Sequence, residues 1–252
     1  MKIFVFGKGV ILTAILCAVI VSAAVIIPKS DSIPASAGKN YNLPVYSVET
    51  PDKKVAITFD AAWNDKDIDD IIKILDHYDC PATFFAVGDW IDKYPDAVLK
   101  LSAAGHEIAN HSDGHSHYSS LSAAQMKEDM EKCDKKIAAL TGVMPTLFRA
   151  PYGEYNDTLI SVCNETGRYC IQWDIDSLDW KGLTTEQMAD RIMPKLQNGS
   201  IILFHNGTDN TAAALPDILE EIKNRGYSFS TAGNLIYREN YTINHEGRQI
   251  SK

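Results

Sequence analysis

The chain has 252 residues, 45% of them hydrophobic, which is enough for one large domain with a substantial core. Its 33 acidic and 24 basic residues leave a net charge of −9. No basic cluster interrupts that acidity, which excludes nucleic-acid binding through bulk electrostatics.

In chain order, the first element is apolar. Lys2 and Lys8 precede an uncharged run, "VILTAILCAVIVSAAVII", from Val10 to Ile27. As a helix it is long enough to cross the roughly 30 Å hydrocarbon layer, and no face of it is polar, which argues against a buried core helix. It exceeds the about 7–15 apolar residues of a cleaved signal, and "ASA" at Ala35–Ala37 lies far downstream for a cleavage box. A signal-anchor over residues 1–28 is therefore expected in preference to a cleaved signal. With either, the remainder is exported, because positive charge stays inside. Residues 29–47 read as an extracytoplasmic linker, residues 48–237 as the domain, and residues 238–252 as a loose polar tail. Cys17 lies in the apolar run. Cys80, Cys133, Cys163 and Cys170 show no disulfide framework and are expected as free, buried thiols, with Cys163–Cys170 the one local pair to test.

Strands are expected at Val55–Phe59, Thr83–Val87, Glu107–Asn110, Leu147–Arg149, Tyr169–Asp174, Ser200–Phe204 and Tyr227–Ser230. Helical patterns alternate with them. Ile68, Ile71, Ile72 and Leu75 recur at helical spacing, Ser122 caps a helix running to Leu140, Thr184 with Gln187 makes a capping box, and Gly226 ends a helix from Ala212. Strand then helix, repeated about seven times, implies parallel pairing with right-handed crossovers. An open doubly wound sheet and a barrel both fit. Asp60, His111, Arg149, Asp176 and His205 each fall near the end of a different strand. Strand ends converge in a barrel and spread out in an open sheet, which favours a distorted (β/α) barrel of about seven parallel strands.

"NHSDGHSHY", Asn110–Tyr118, holds three histidines. His111 and His115, four apart, would share one side of a helical turn and could bind one ion. His117, His77 and His245 read as loop residues.

"TFDAAW", "HSDGH", "RAPYG", "DSLDW" and "LFH" occur in the order of the five motifs of the polysaccharide deacetylases, the NodB-homology domains of carbohydrate esterase family 4, which this chain resembles from roughly Val48 to Tyr237. The first motif and the single N-terminal span look like those of membrane-anchored sporulation-type deacetylases. The resemblance implies a distorted barrel that removes acetyl groups from N-acetylated sugars of a cell-wall glycan, peptidoglycan above all, with a divalent metal (zinc or another first-row ion). It implies Asp60 as catalytic base, Arg149 as its partner, His205 as general acid and Asp179 as the carboxylate that keeps His205 protonated. It further implies His111 and His115 as metal ligands, the Tyr152 backbone N–H at the oxyanion, and Trp180 and Leu203 as the acetyl-binding wall. Asp174 and Asp176 receive no catalytic role.

One position departs from the pattern. Where the family reads "TFDDG", with the second aspartate a metal ligand, this chain has Ala61, and a methyl group cannot coordinate an ion. Water, substrate, Asp65 or Asp113 would have to fill the set, and metal is expected to bind weakly. Two functions follow: an active deacetylase, resting on Asp60, Arg149, His205 and Asp179, and a membrane-tethered glycan-binding protein on a degenerate scaffold, resting on Ala61. A glycosidase would need two carboxylates flanking the scissile bond, which does not match an aspartate accompanied by histidine and arginine.

Overall fold

The structure, a computed structural model, describes residues 42–252. The apolar run, Cys17 and residues 29–41 of the expected linker lie outside the described residues. Among the described residues no helix is long and apolar enough to cross a membrane.

A short strand β1 (Ser47–Val48) is followed by β2 (Lys54–Ala61), β3 (Thr83–Ala86), β4 (Glu107–Asn110), β5 (Leu147–Phe148), β6 (Tyr169–Cys170), β7 (Ile175–Asp176) and β8 (Ile201–His205). Strands β2 to β8 form one parallel sheet in the spatial order β6-β5-β4-β3-β2-β8-β7. β9 (Ser228–Ser230) pairs with the start of β2. The helices between them are α1 (Ile68–His77), α2 (Gly88–Lys93), α3 (Pro95–Ala103), α4 (Ala123–Thr141), α5 (Asp157–Glu165), α6 (Thr185–Ile192), α7 (Thr211–Asn224) and α8 (Ala232–Leu235). Both predicted capping boxes are present: Ser122 with Gln125 opens α4, and Thr184 with Gln187 opens α6.

β2 shows why the sheet curls. Its residues are buried on both faces, as befits a central parallel strand. Val55, Ile57, Phe59 and Ala61 belong to the core shared with the helices, together with Ile71, Leu75, Ile218 and Leu219. The alternate face puts Ala56 with Phe85, Ala109, Leu147 and Ile201 in a separate inner core. Thr58 and Asp60 continue that inner row by the period of two, so a carboxylate stands at the top of the inner face.

Two expectations need correction. The strand expected over Tyr169–Asp174 ends at Cys170 as β6, and a further strand that was not expected, β7, follows at the opposite edge of the sheet. Because only Ile171–Asp174 joins them, the sheet must curl to bring its edges near one another, and the barrel is incompletely closed. Val45, paired parallel with Ile171, and Ser47, paired antiparallel with Ser200, bridge that side. The loose tail expected from residue 238 is instead a hairpin, β10 (Tyr241–Ile243) and β11 (Arg248–Ser251), with β11 parallel to β1. Gly247 makes its turn at φ +76°, and a Cβ there would lie 2.2 Å from the Tyr46 ring. Cys80, Cys133, Cys163 and Cys170 are free and buried.

Candidate active site

The strand register assembles the site. On parallel neighbours β2 and β8, Asp60 is the register partner of His205. β4 and β5 pair at Asn110 and Phe148, so that His111 and Arg149 follow side by side. Asp60, His111 and His205 line a cavity of about 510 Å3, together with Trp63, His115, Tyr152, Trp173, Asp176, Trp180 and Leu203, and Arg149 lies behind Asp60.

Arg149 is fully buried and fixed on three sides. Its Nη1 donates to Asp60 Oδ1 at 2.7 Å, while Nη2 donates to Thr58 Oγ1 at 3.0 Å and to the Gln172 carbonyl at 3.1 Å. The guanidinium lies 3.9 Å over the Phe85 ring. Burial opposes ionisation of Asp60, but the charges around it win and hold its carboxyl below the ordinary aspartate value. Burial also pushes His111 toward its neutral form, so Arg149 is the group that sustains the Asp60 anion.

His111 Nδ1 lies 2.8 Å from the Arg149 carbonyl, which can only accept, so Nδ1 carries the proton and Nε2 turns a lone pair to the cavity. That Nε2 is 3.4 Å from Asp60 Oδ2. Two acceptors facing one another call for a proton, a water or a cation between them. His115 stands edge-on to His111 at 5.2 Å, and burial together with His111 lowers its pKa to about 4. The segment is not the helical turn the spacing allowed. Ser112 and His115 sit at φ +72° and +53°, and a Ser112 hydroxyl at 2.9 Å from the His115 N–H holds the loop.

Opposite them, His205 Nδ1 meets Asp179 Oδ1 at 2.8 Å, and its backbone N–H donates to Asp179 Oδ2 at 2.6 Å. Asp179 is wholly buried and also accepts from Thr211 Oγ1 and the Trp180 N–H. Burial alone would discharge the imidazole, but Asp179, Asp60 and Asp176 raise its pKa above the ordinary histidine value. The site therefore holds a carboxylate kept ionised and an imidazole kept protonated on neighbouring strands.

Tyr152 follows Pro151 in a short 3-10 turn at φ +60°, a conformation that a non-glycine residue adopts only when its surroundings enforce it. Asp174 accepts from the Ile201 N–H and Ser200 Oγ and is structural. Asp176 lines the cavity and accepts from the Leu178 N–H.

The donor set falls short of a three-ligand metal site, and among the described residues no group of three histidine, cysteine, aspartate or glutamate side chains is arranged to hold an ion. Ala61 is fully buried on the helix-facing side of β2. Asp113 is bound to Lys136 at 2.5 Å, and Asp65 does not line the cavity. His111 and His115 remain as the two candidate ligands.

Three residues that the sequence reading left out also belong to the site. Trp63 stacks on His205, Trp173 lines the cavity, and His117 stacks on Tyr152 at 4.2 Å while its Nδ1 meets Glu154 at 2.8 Å. A tryptophan three residues after the strand-end aspartate was a readable signal for the first. Nothing local to His117 announced its partner.

A curled parallel barrel with an ion-paired carboxylate beside a carboxylate-backed imidazole at its mouth is the framework of an acid–base hydrolase. Residues 47–171 match the family model described as polysaccharide deacetylase. The chain is 31% identical to a peptidoglycan-N-acetylglucosamine deacetylase of Bacillus cereus over 196 residues, 76% of this chain and 92% of that protein. It is 30% identical to the uncharacterized protein YlxY of Bacillus subtilis over 193 residues, 77% of this chain and 60% of YlxY. Among solved structures, BA3943 of Bacillus anthracis, a CE4 family pseudoenzyme, matches with a TM-score of 0.75 at 27% identity, over 79% of this chain and 70% of that one. A mutant of BA3943 has restored enzymatic activity. This chain belongs to the polysaccharide deacetylase family.

Proposed function

We propose that the protein hydrolyses the N-acetyl amide of amino sugars in a cell-wall glycan of the peptidoglycan type. The observation that carries this is that Asp60 and His205 line one cavity, each backed by a buried partner, Arg149 and Asp179 respectively. Amide hydrolysis needs a base to take a proton from water and an acid to protonate the departing amine. Asp60, held ionised, takes the proton. His205, held protonated with Nε2 toward the cavity, returns one to the amine nitrogen. The Tyr152 N–H, in the first turn of a 3-10 helix where backbone donors have no intrahelical partner, is the donor for the oxyanion. Leu203 and Trp180 form the wall against the acetyl methyl. Any divalent ion joining the site does so at His111 and His115, with water completing its shell, so its occupancy follows ion concentration. The N-terminal apolar run would tether the domain on the outer side of a membrane.

Acetate release from N-acetylglucosamine oligomers and from peptidoglycan, by the full chain with each first-row ion, tests the reading. Activity that disappears in Asp60→Asn supports it. No acetate under any ion, with wall fragments still bound, establishes the second reading, a glycan-binding protein on a deacetylase scaffold. Two observations favour that alternative: the incomplete ligand set around Ala61, and the pseudoenzyme among the structural relatives.

A further inference from the structure

Tyr152 keeps its positive φ although it is 59% exposed, so burial in the core is not what enforces that conformation. Gly153, which follows, is also at positive φ, +68°. Two long bonds close the turn from within, the Gly153 N–H to the Ala150 carbonyl at 3.3 Å and the Glu154 N–H to the Pro151 carbonyl at 3.2 Å. Shorter ties come from another loop. His117 lies face to face on the Tyr152 ring, with centroids 4.2 Å apart and planes at 13°. Its Nδ1 donates to Glu154 Oε1 at 2.8 Å, since a carboxylate can only accept. The other oxygen of Glu154 accepts from Ser119 Oγ at 2.7 Å and from the Ser119 N–H at 3.2 Å. His117 is itself fixed. Its carbonyl accepts from the Ser120 N–H and Oγ, and the adjacent Tyr118 is buried, with its hydroxyl donating to Asp129. An exposed histidine and a partly exposed glutamate thus tie the 111–120 loop to the Tyr152 turn.

We propose that His117 and Glu154 are positioning residues, which clamp the Tyr152 turn in its positive-φ form so that the backbone N–H already points to where the oxyanion develops. This rests on the reading of the cavity as an amide-hydrolysing site. A donor held in place needs no reorganisation when the carbonyl oxygen gains charge, whereas one free to swing away contributes little. The stacked imidazole restrains the Tyr152 side chain, and the bonds to Glu154 restrain the chain two residues on. The peptide between Pro151 and Tyr152 is left with little freedom to rotate. Both residues act through Tyr152 and not on the substrate. Their effect belongs to the transition state, so kcat carries it and KM does not.

The test measures acetate release from N-acetylglucosamine oligomers by the full chain in detergent, over a range of zinc concentrations. Beside it, the backbone amide resonance of Tyr152 is followed in protein labelled with 15N-tyrosine. His117→Ala is expected to lower kcat about tenfold and to change KM less than twofold, a part of the roughly 100-fold or more that loss of a whole oxyanion donor costs. Glu154→Ala should lower kcat by a similar factor, and the double variant little further, because both side chains hold one turn. His117→Phe keeps a ring against Tyr152 and should recover most of kcat. The Tyr152 signal, sharp in the wild type, should broaden by exchange in His117→Ala and Glu154→Ala and sharpen again in His117→Phe. A raised KM at unchanged kcat makes His117 a substrate contact and overturns the proposal. So does a kcat that excess zinc restores, which would report the neighbouring His115, and so does a Tyr152 signal unmoved in both alanine variants. If His117→Ala does not fold, His117→Phe against His117→Leu reads the same split. A wild type that releases no acetate under any first-row ion refutes the hydrolytic reading, while the Tyr152 signal still decides whether the clamp exists.

Discussion

Arg149 shows how one side chain can serve stability and chemistry together. It is buried completely, and its charge is matched by Asp60 at 2.7 Å. Replacing it with methionine keeps the volume but leaves the Asp60 carboxylate buried without its partner, which costs about 3–5 kcal/mol. Urea unfolding of Arg149→Met at pH 7 should show that loss, and Asp60→Asn/Arg149→Met should recover part of it. The folded pKa of Asp60 is depressed, so the pair's contribution is present above the unfolded aspartate value and is lost as pH falls through the folded one. The gap between wild type and Arg149→Met should therefore narrow below about pH 4. An equal gap at pH 7 and pH 3 would mean that lost packing, not charge, explains the cost. His111 and His115 make the second residue-scale prediction. Two imidazoles without a third protein ligand should release zinc to a mild chelator and take it up again only with ion in excess, and His111→Ala should abolish uptake. One equivalent of zinc surviving dialysis against chelator would show a ligand set that the described residues do not contain. Asp60, His111, Arg149 and His205 were legible because each stands at a strand end in a recognisable string. Tyr152's positive φ and the His117 stack were not, because they arise from contacts between separate loops.

The elements were legible wherever burial was two-sided or a cap was present. β2 reads as a continuous apolar run because both its faces are covered, and α4 and α6 announce themselves through serine and threonine caps. β6 was read too long and β7 was missed because "YCIQWDID" holds no glycine or proline to mark the break, which comes from sheet curvature, a long-range property. The C-terminal hairpin was missed because its strands are short and polar, although "NHEG" before β11 holds the glycine its turn requires. That hairpin is structural. Gln249 is fully buried, accepting from the Tyr237 N–H at 2.8 Å and donating to the Tyr237 carbonyl at 3.1 Å, and β11 pairs with β1. Removing residues 240–252 should lower the melting temperature measurably, since it strips a buried hydrogen-bonded side chain and exposes the edge of β1. A truncated chain that melts with the wild type would make the hairpin an appendage after all.

At the scale of the whole molecule, the barrel brings together groups from segments far apart in sequence and sets their protonation against one another. Asp60 from β2, Asp176 from β7 and Asp179 after β7 all face His205, with His111 and His115 across the cavity. His205 is raised above the ordinary histidine value and Asp60 lowered below the ordinary aspartate value. Between those limits the carboxylate is charged and the imidazole protonated, the form the proposed hydrolysis needs. Above the folded pKa of His205 the acid is lost and the rate should fall, giving an alkaline limb higher than an ordinary histidine's. Asp179→Asn removes a charge and an Nδ1 acceptor while keeping the side chain's size, so it should move that limb to lower pH. kcat/KM for acetate release would then fall more at pH 8 than at pH 6. The same substitution should lower the His205 pKa in a proton NMR titration, a reading independent of turnover. If the NMR pKa drops while the alkaline limb stays in place, His205 is not the proton donor. If neither moves, Asp179 holds the loop in position without tuning the charge.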